Sequence, residues 1–223
     1  MSDVKQFHEQ VKKGDLAGVR ATLAGDPELL NTINPAGQSA FLLAKYYRQD
    51  AIAEYLLSLD PKLDIFNSCV AGRTSAVLSD IDRDPALLRS QSTDGWTVLH
   101  LAAFFGHAEL ANALLDRGAN VNSRSTNGLK NTPLHAASAG GHAELVALLL
   151  KRGADPNARQ EGGWTALHSA ALAGNRPMAE ALLANGADTS IRADNNQAAL
   201  DLALSKGHGE LATLLENAGA RLQ

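Results

Sequence analysis

Seven histidines and one cysteine, Cys69, carry most of the ligand and nucleophile chemistry in this 223-residue chain. His100, His135 and His168 recur at steps of 35 and 33 residues, and His107, His142 and His208 form a second series. A zinc site needs its ligands inside one coordination sphere. One histidine per repeat spacing makes a ladder instead of a cluster, so no metal is expected. A catalytic thiol needs a base beside it, and nothing in the spacing sets a histidine against Cys69. That residue lies in a helical stretch, Phe66 to Ala71, ahead of Gly72, where a small buried hydrophobe is expected. The chain has no phosphate loop closed by Lys-Ser/Thr, no G-x-S-x-G elbow and no H-E-x-x-H pair. No catalytic residue and no cofactor follow from these patterns. The competing reading is an enzyme, or a small-ligand or metal-binding protein, that uses the histidine ladder or Cys69. Arg124, Arg159 and Arg192 form a third series. They would either attract an acidic partner or pair locally with Asp94, Glu161 and Asp194, and the sequence proximity favours the local pairs.

The elements that must position these residues are visible in the stretch from Asn131 to Arg159, which reads as two short helices and a return loop. Thr97-Val-Leu-His100 and Thr165-Ala-Leu-His168 repeat its start, Thr132-Pro-Leu-His135. Gly118-Ala-Asn-Val-Asn122 and Gly186-Ala-Asp-Thr-Ser190 repeat its end. Turn positions Gly95, Gly128, Gly163 and Asn196 lie 33, 35 and 33 residues apart, and the two extra residues are placed at Leu129-Lys130. Thr132 suits an N-cap, and Pro133 suits the first helical turn. Gly106, Gly141, Gly174 and Gly207 share the slot that ends the first helix. Leu110, Leu114 and Leu115 fill one stripe of the second helix, as do Leu145, Leu149 and Leu150. Helix pairs are predicted over roughly 97–116, 132–151, 165–184 and 198–217.

Self-similarity at this period with Thr-Pro-Leu-His at the helix start resembles the ankyrin repeat. The resemblance is specific over residues 95–223, looser over 37–94 and weakest at the start. It implies an all-α solenoid of helix-turn-helix units with short β-hairpin or finger loops. It also implies that the histidine of each Thr-x-x-His start hydrogen-bonds neighbouring backbone and ties loops together. Fingers and the concave inner-helix face are the family's usual contact surface.

The earlier part of the chain is less regular. Val4, Phe7 and Val11 share one helical stripe opposite charged residues, as a terminal capping repeat requires. Asp26-Pro27 opens a short helical turn. Gly14, Asp26-Pro27, Leu29-Leu30, Gly37 and Ser39 are matched 58 residues on by Gly72, Asp84-Pro85, Leu87-Leu88, Gly95 and Thr97. Residues 64–94 therefore read as a second copy of the opening unit. Leu59 to Leu63 is too short for a full finger, and a tight joint is expected there. The expected organisation is one domain: 1–36 as an N-terminal cap, 37–94 as two irregular repeats, 95–195 as three regular repeats and 196–223 as a C-terminal cap.

Composition agrees with closely stacked helices. Aromatics are 4 %, so Ala, Leu and Val must build the core. The net charge of −4 offers no basic footprint for nucleic acid. One cysteine excludes an intrachain disulfide, and no run approaches the roughly 18 apolar residues of a membrane span. The opening Met-Ser-Asp-Val-Lys-Gln has no apolar run of the kind a secretory signal carries. A cytoplasmic, monomeric protein without membrane insertion is expected.

In so aromatic-poor a chain, the placement of the rings is informative. Tyr46, Tyr47, Phe104 and Phe105 fall near the end of an inner helix, while Trp96 and Trp164 fall on finger tips. The family leaves these slots variable and exposed. The tryptophans suit packing along their own fingers as well as contact. The expected function is a non-catalytic protein-binding module, a scaffold, adaptor or inhibitor. Its partner-binding residues are read as Tyr46, Tyr47, Trp96, Phe104, Phe105, Lys130 and Trp164, with the lengthened 128–131 finger at the rim.

Overall fold

A computed structural model describes residues 2–220. Among them are fourteen α-helices, which follow one another as seven pairs, and no strand. The fingers keep only isolated antiparallel bridges, Ile33 with Ser39 and Arg192 with Ala198. The chain divides into two compact units at the Ala71–Gly72 step, inside the stretch that copies the opening.

The first unit holds α1 (Ser2–Lys13), α2 (Leu16–Gly25), a 3-10 turn (Pro27–Asn31), α3 (Ala40–Tyr46), α4 (Asp50–Ser58) and α5 (Ile65–Val70). Phe7 and Val11 of α1 are completely buried, while Glu9 and Lys12 pair on its outer side at 2.9 Å. Asp15 caps α2 by accepting from the Gly18 N–H, and Asp26 caps the 3-10 turn. Arg48 ends the first helix of its pair at φ +55°, where later copies carry glycine. A left-handed residue with a Cβ costs about 1–2 kcal/mol, so this corner is held by its surroundings. The tight joint closes without a finger: Asp60 turns at φ +50°, and the Lys62 N–H donates to Asn31 Oδ1 at 2.8 Å.

The second unit begins with α6 (Thr74–Arg83) and a 3-10 turn (Pro85–Leu88). Asp84 caps that turn at φ −137°, ψ 89°, and Asp26 caps the earlier one at φ −141°, ψ 88°. The copied sequence thus forms a copied local structure. Three regular pairs follow: α7 (Val98–Phe104) with α8 (Ala108–Asp116), α9 (Pro133–Gly140) with α10 (Ala143–Lys151), and α11 (Ala166–Ala173) with α12 (Arg176–Ala184). The last pair is α13 (Ala199–Ser205) and α14 (Gly209–Ala220), whose second helix runs beyond the expected end at 217. Inner helices α7, α9, α11 and α13 pack in succession, as do α10 and α12. The leucine stripe forms the core: Leu110, Leu114, Leu145 and Leu149 are buried, as are Leu99, Leu134 and Leu167 on the inner helices.

Candidate partner-binding surface

The histidine ladder is spent inside the fold. Each ring spans one repeat step. His135 Nδ1 accepts from the Thr132 hydroxyl at 2.8 Å and from the Thr132 N–H at 3.3 Å. With Nδ1 accepting, the proton of the neutral ring sits on Nε2, which donates to the Trp164 carbonyl at 3.2 Å. His100 reaches the Asn131 carbonyl at 3.1 Å and His168 the Gln197 carbonyl at 3.1 Å in the same way. Burial lowers the pKa of all three, to about 4 for His100 and His135, because a charged imidazole would lose its hydration. The imidazole therefore shares the capping expected of the Thr132 hydroxyl alone. In the final pair Asp201 replaces the histidine, accepting from the Ala198 N–H at 2.9 Å and from Arg192 at 3.0 Å.

The second histidine series ties inner-helix ends. His142 Nε2 donates to the Phe104 carbonyl at 2.9 Å, and its ring lies where a Cβ on Gly106 would stand. Cys69 is buried, and desolvation pushes its thiol far above the usual range. No group of three or more metal-ligating side chains occurs among the described residues.

The arginine series serves main-chain carbonyls as well as acids. Arg124 donates to the main-chain carbonyls of Lys130 at 2.9 Å and Arg159 at 2.7 Å. Arg159 donates to the Arg192 carbonyl at 3.0 Å, with only a long contact to Asp194 at 3.4 Å. Arg192 takes Asp201 and the Asn196 carbonyl. Glu161 pairs with Lys130 at 3.4 Å instead. A guanidinium has five N–H donors, so it serves carbonyls as readily as carboxylates when the next finger presents them.

Asparagines add rungs that the sequence reading missed. Asn122 donates to the Gly153 carbonyl and accepts from the Asp155 N–H; Asn157 does the same with Gly186 and Asp188. One main-chain bond also joins each finger of the second unit to the next: Thr126 N–H to Gly95, Glu161 N–H to Leu129, and Asp194 N–H to Gly162. The recurrence of Asn at the fourth position after Gly118 and Gly153 was the available signal.

These bonds hold the candidate surface in place. Trp96 stands edge-on to Phe104 at 5.2 Å, and Phe104 edge-on to Phe105 at 5.1 Å. All three rings are half-buried, so each serves packing and surface together. Trp164 lies against His168 at 5.5 Å and is also half-buried. Lys130 is exposed at φ +48°, so the lengthened finger bends through a left-handed residue. In the first unit Tyr46 is half-buried, and Tyr47 is 51 % exposed with the Lys12 ammonium 5.8 Å from its ring centre. The structure adds three apolar residues absent from the sequence reading: Leu129, Leu172 and Leu204, at 50 %, 42 % and 56 % exposure. Leu172 occupies the same place in α11 as Phe104 does in α7, counted from the threonine cap, and this register was the available clue. Between them α9 carries exposed Ala139, a small step in the row.

Family models for ankyrin repeats match the chain: one for three copies over residues 7–125 and 75–160, one for many copies over residues 139–183. The chain belongs to the ankyrin repeat family, and its fold is the all-α ankyrin solenoid. Comparison with curated proteins found no match. Ankyrin repeats are in general protein–protein interaction modules and not catalysts. No helix among the described residues is long and apolar enough to cross a membrane.

Proposed function

We infer that this protein is a scaffold, adaptor or inhibitor that holds a protein partner on the concave inner-helix face and fingers of its second unit. The observation that carries this reading is the row formed by Trp96, Phe104 and Phe105, then Ala139, then Leu172, with Leu129 and Lys130 at the finger rim. Large interface anchors are enriched in aromatic residues held in place before binding. Edge-to-face pairing fixes these rings without burying them fully, so surface is left to be covered at about 25 cal/mol for each Å² removed from water. The charged groups around the row are engaged in finger-to-finger bonds, which favours an apolar contact bordered by hydrogen bonds over an acidic ligand. Tyr46 and Tyr47 form a separate candidate patch on the first unit. A monomer in the cytoplasm is the proposed setting; the single, buried cysteine supports the reducing compartment. The negative net charge argues for a protein partner over nucleic acid.

The test is affinity capture from cells of the source with wild-type bait, a Trp96→Ser/Phe104→Ser bait and a Leu129→Asp/Leu172→Asp bait. Both variants should fold by circular dichroism and lose the same captured protein. Because Trp96 and Phe104 pack on each other, the first variant should also melt several degrees lower; the second should not. Retention of every captured protein by the folded Leu129→Asp/Leu172→Asp bait removes this face from consideration.

A further inference from the structure

The chain contains two Asn-Gly steps, Asn127-Gly128 and Asn185-Gly186, and the fold treats them oppositely. Glycine after asparagine leaves the main-chain nitrogen unshielded, since no Cβ stands in the way. That nitrogen is the nucleophile when an asparagine side chain closes on its own backbone.

At Asn185 the nucleophile is occupied. The Gly186 N–H donates to the Leu183 carbonyl at 3.1 Å, and Gly186 is fixed at φ +87° by the end of α12. Asn185 Nδ2 donates to the Ala181 carbonyl at 2.8 Å, and its Oδ1 receives no donor among the described residues. The side chain is thus drawn back along its own helix, with its carbonyl carbon unactivated.

At Asn127 the arrangement is reversed. The Gly128 N–H has no acceptor among the described residues, and Gly128 is exposed. Asn127 Oδ1 accepts from the Ser125 hydroxyl at 2.8 Å and from the Leu129 N–H at 3.1 Å. The second of these bonds closes a ring that spans the Gly128 peptide, so the carboxamide is held beside the nitrogen that must attack it. Two donors on one carbonyl oxygen also favour the negative charge that develops there when the carbon is attacked.

We propose that Asn127 is a site of spontaneous deamidation in the native protein. The Gly128 nitrogen bonds to Asn127 Cγ and gives up its proton. The Cγ–Nδ2 bond breaks, and Nδ2 leaves as ammonia. Solvent water then opens the five-membered imide at either carbonyl, leaving aspartate or isoaspartate. No oxidant or further reactant takes part.

The change falls on a structural tie. Asn127 Nδ2 donates to the Asp94 carbonyl at 2.9 Å and so joins two successive fingers. A carboxylate has no donor for that carbonyl and is repelled by it. The fingers then keep the Thr126 N–H bond to Gly95 at 3.0 Å and the bonds of Gln91 with the Arg124 carbonyl and the Thr126 hydroxyl. An isoaspartate also lengthens the main chain inside the turn. The modification stands independently of partner binding, although it lies three residues from Lys130 at the rim of the proposed surface.

Purified full-length protein incubated at mildly alkaline pH and followed by peptide mapping with isoaspartate detection gives the test. In the native protein, products should accumulate at position 127 several-fold faster than at 185. In the urea-unfolded chain the two sites should react alike. Equal native rates, or a faster reaction at 185, overturn the proposal. Ser125→Ala removes one oxyanion donor, so it should slow position 127 in the native state and leave the unfolded rate unchanged. A native Ser125→Ala protein that reacts as fast as wild type refutes the part given to the hydroxyl. The native ratio of the two sites in the wild-type chain decides the main point even if Ser125→Ala does not fold.

Discussion

Lowering the pH from 7 to 5 should weaken the second unit sharply, and the buried histidines supply the magnitude. His100 and His135 have pKa values of about 4 in the folded protein against 6.5 in an unfolded chain. A histidine whose folded pKa is depressed takes up protons on unfolding. Its contribution is therefore fully present above pH 6.5 and is lost as the pH falls toward 4. At pH 5 the unfolded histidine is almost wholly charged while the folded one remains mostly neutral, which costs about 2 kcal/mol per residue. The two together give about 4 kcal/mol, a large share of the roughly 5–15 kcal/mol that stabilises a domain. His168, also lowered by burial, acts in the same direction. Most carboxylates titrate below this window, so the histidines dominate it. Trp96 and Trp164 are the only tryptophans and both lie in the second unit, so their fluorescence reports its unfolding in urea. With a slope of about 2 kcal/mol/M, the midpoint should fall by about 2 M between pH 7 and pH 5. His135→Gln keeps a donor for the Trp164 carbonyl but cannot titrate. It should be less stable at pH 7 and should lose about half of the pH-dependent drop. A wild-type midpoint that moves by less than about 0.5 M over this range, or a His135→Gln protein with the full drop, would refute the assignment of these protons.

Two further outcomes follow from close approaches and burial. Gly106→Ala puts a methyl group 2.6 Å from the His142 ring at φ +80°, whereas Gly118→Ala at φ +89° meets nothing within 4 Å. Gly118→Ala should cost about 1 kcal/mol, the left-handed penalty alone. Gly106→Ala should cost about 0.5–1.5 kcal/mol more as the half-buried bond from His142 to the Phe104 carbonyl breaks; thermal melts of the two variants compare them directly. Cys69 should resist thiol reagents at neutral pH in the native protein and react promptly in denaturant, because desolvation suppresses its thiolate. Prompt native labelling would favour a protein that uses the Cys69 thiol chemically.

The sequence by itself determined the repeat period, the helix starts and the corners. These depend on bonds between residues within one turn of each other, as at Asp26, Asp84 and Thr97, or on a backbone angle that glycine adopts freely. The leucine stripes followed from helical geometry, and Phe7 and Val11 were legible as core for the same reason. The joint at Leu59–Leu63 was legible too, because a finger needs a minimum length.

Only the tertiary structure decided what each polar side chain was for. His100, His135 and His168 were visible as a series, but their acceptors lie 29 to 31 residues away on the next finger. Arg124 and Arg159 reach main-chain carbonyls, with Asp194 as a further partner of Arg159, because stacking brings one finger's main chain within reach of the previous finger's guanidinium. Lys130 took Glu161 across the same gap. Trp96 and Phe104 are eight residues apart in sequence, yet their edge-on contact needs the finger to fold back over α7. A local pattern encodes what one turn of chain can satisfy by itself. Which donors remain unsatisfied, and which apolar groups remain uncovered, is settled only when one repeat is laid on the next.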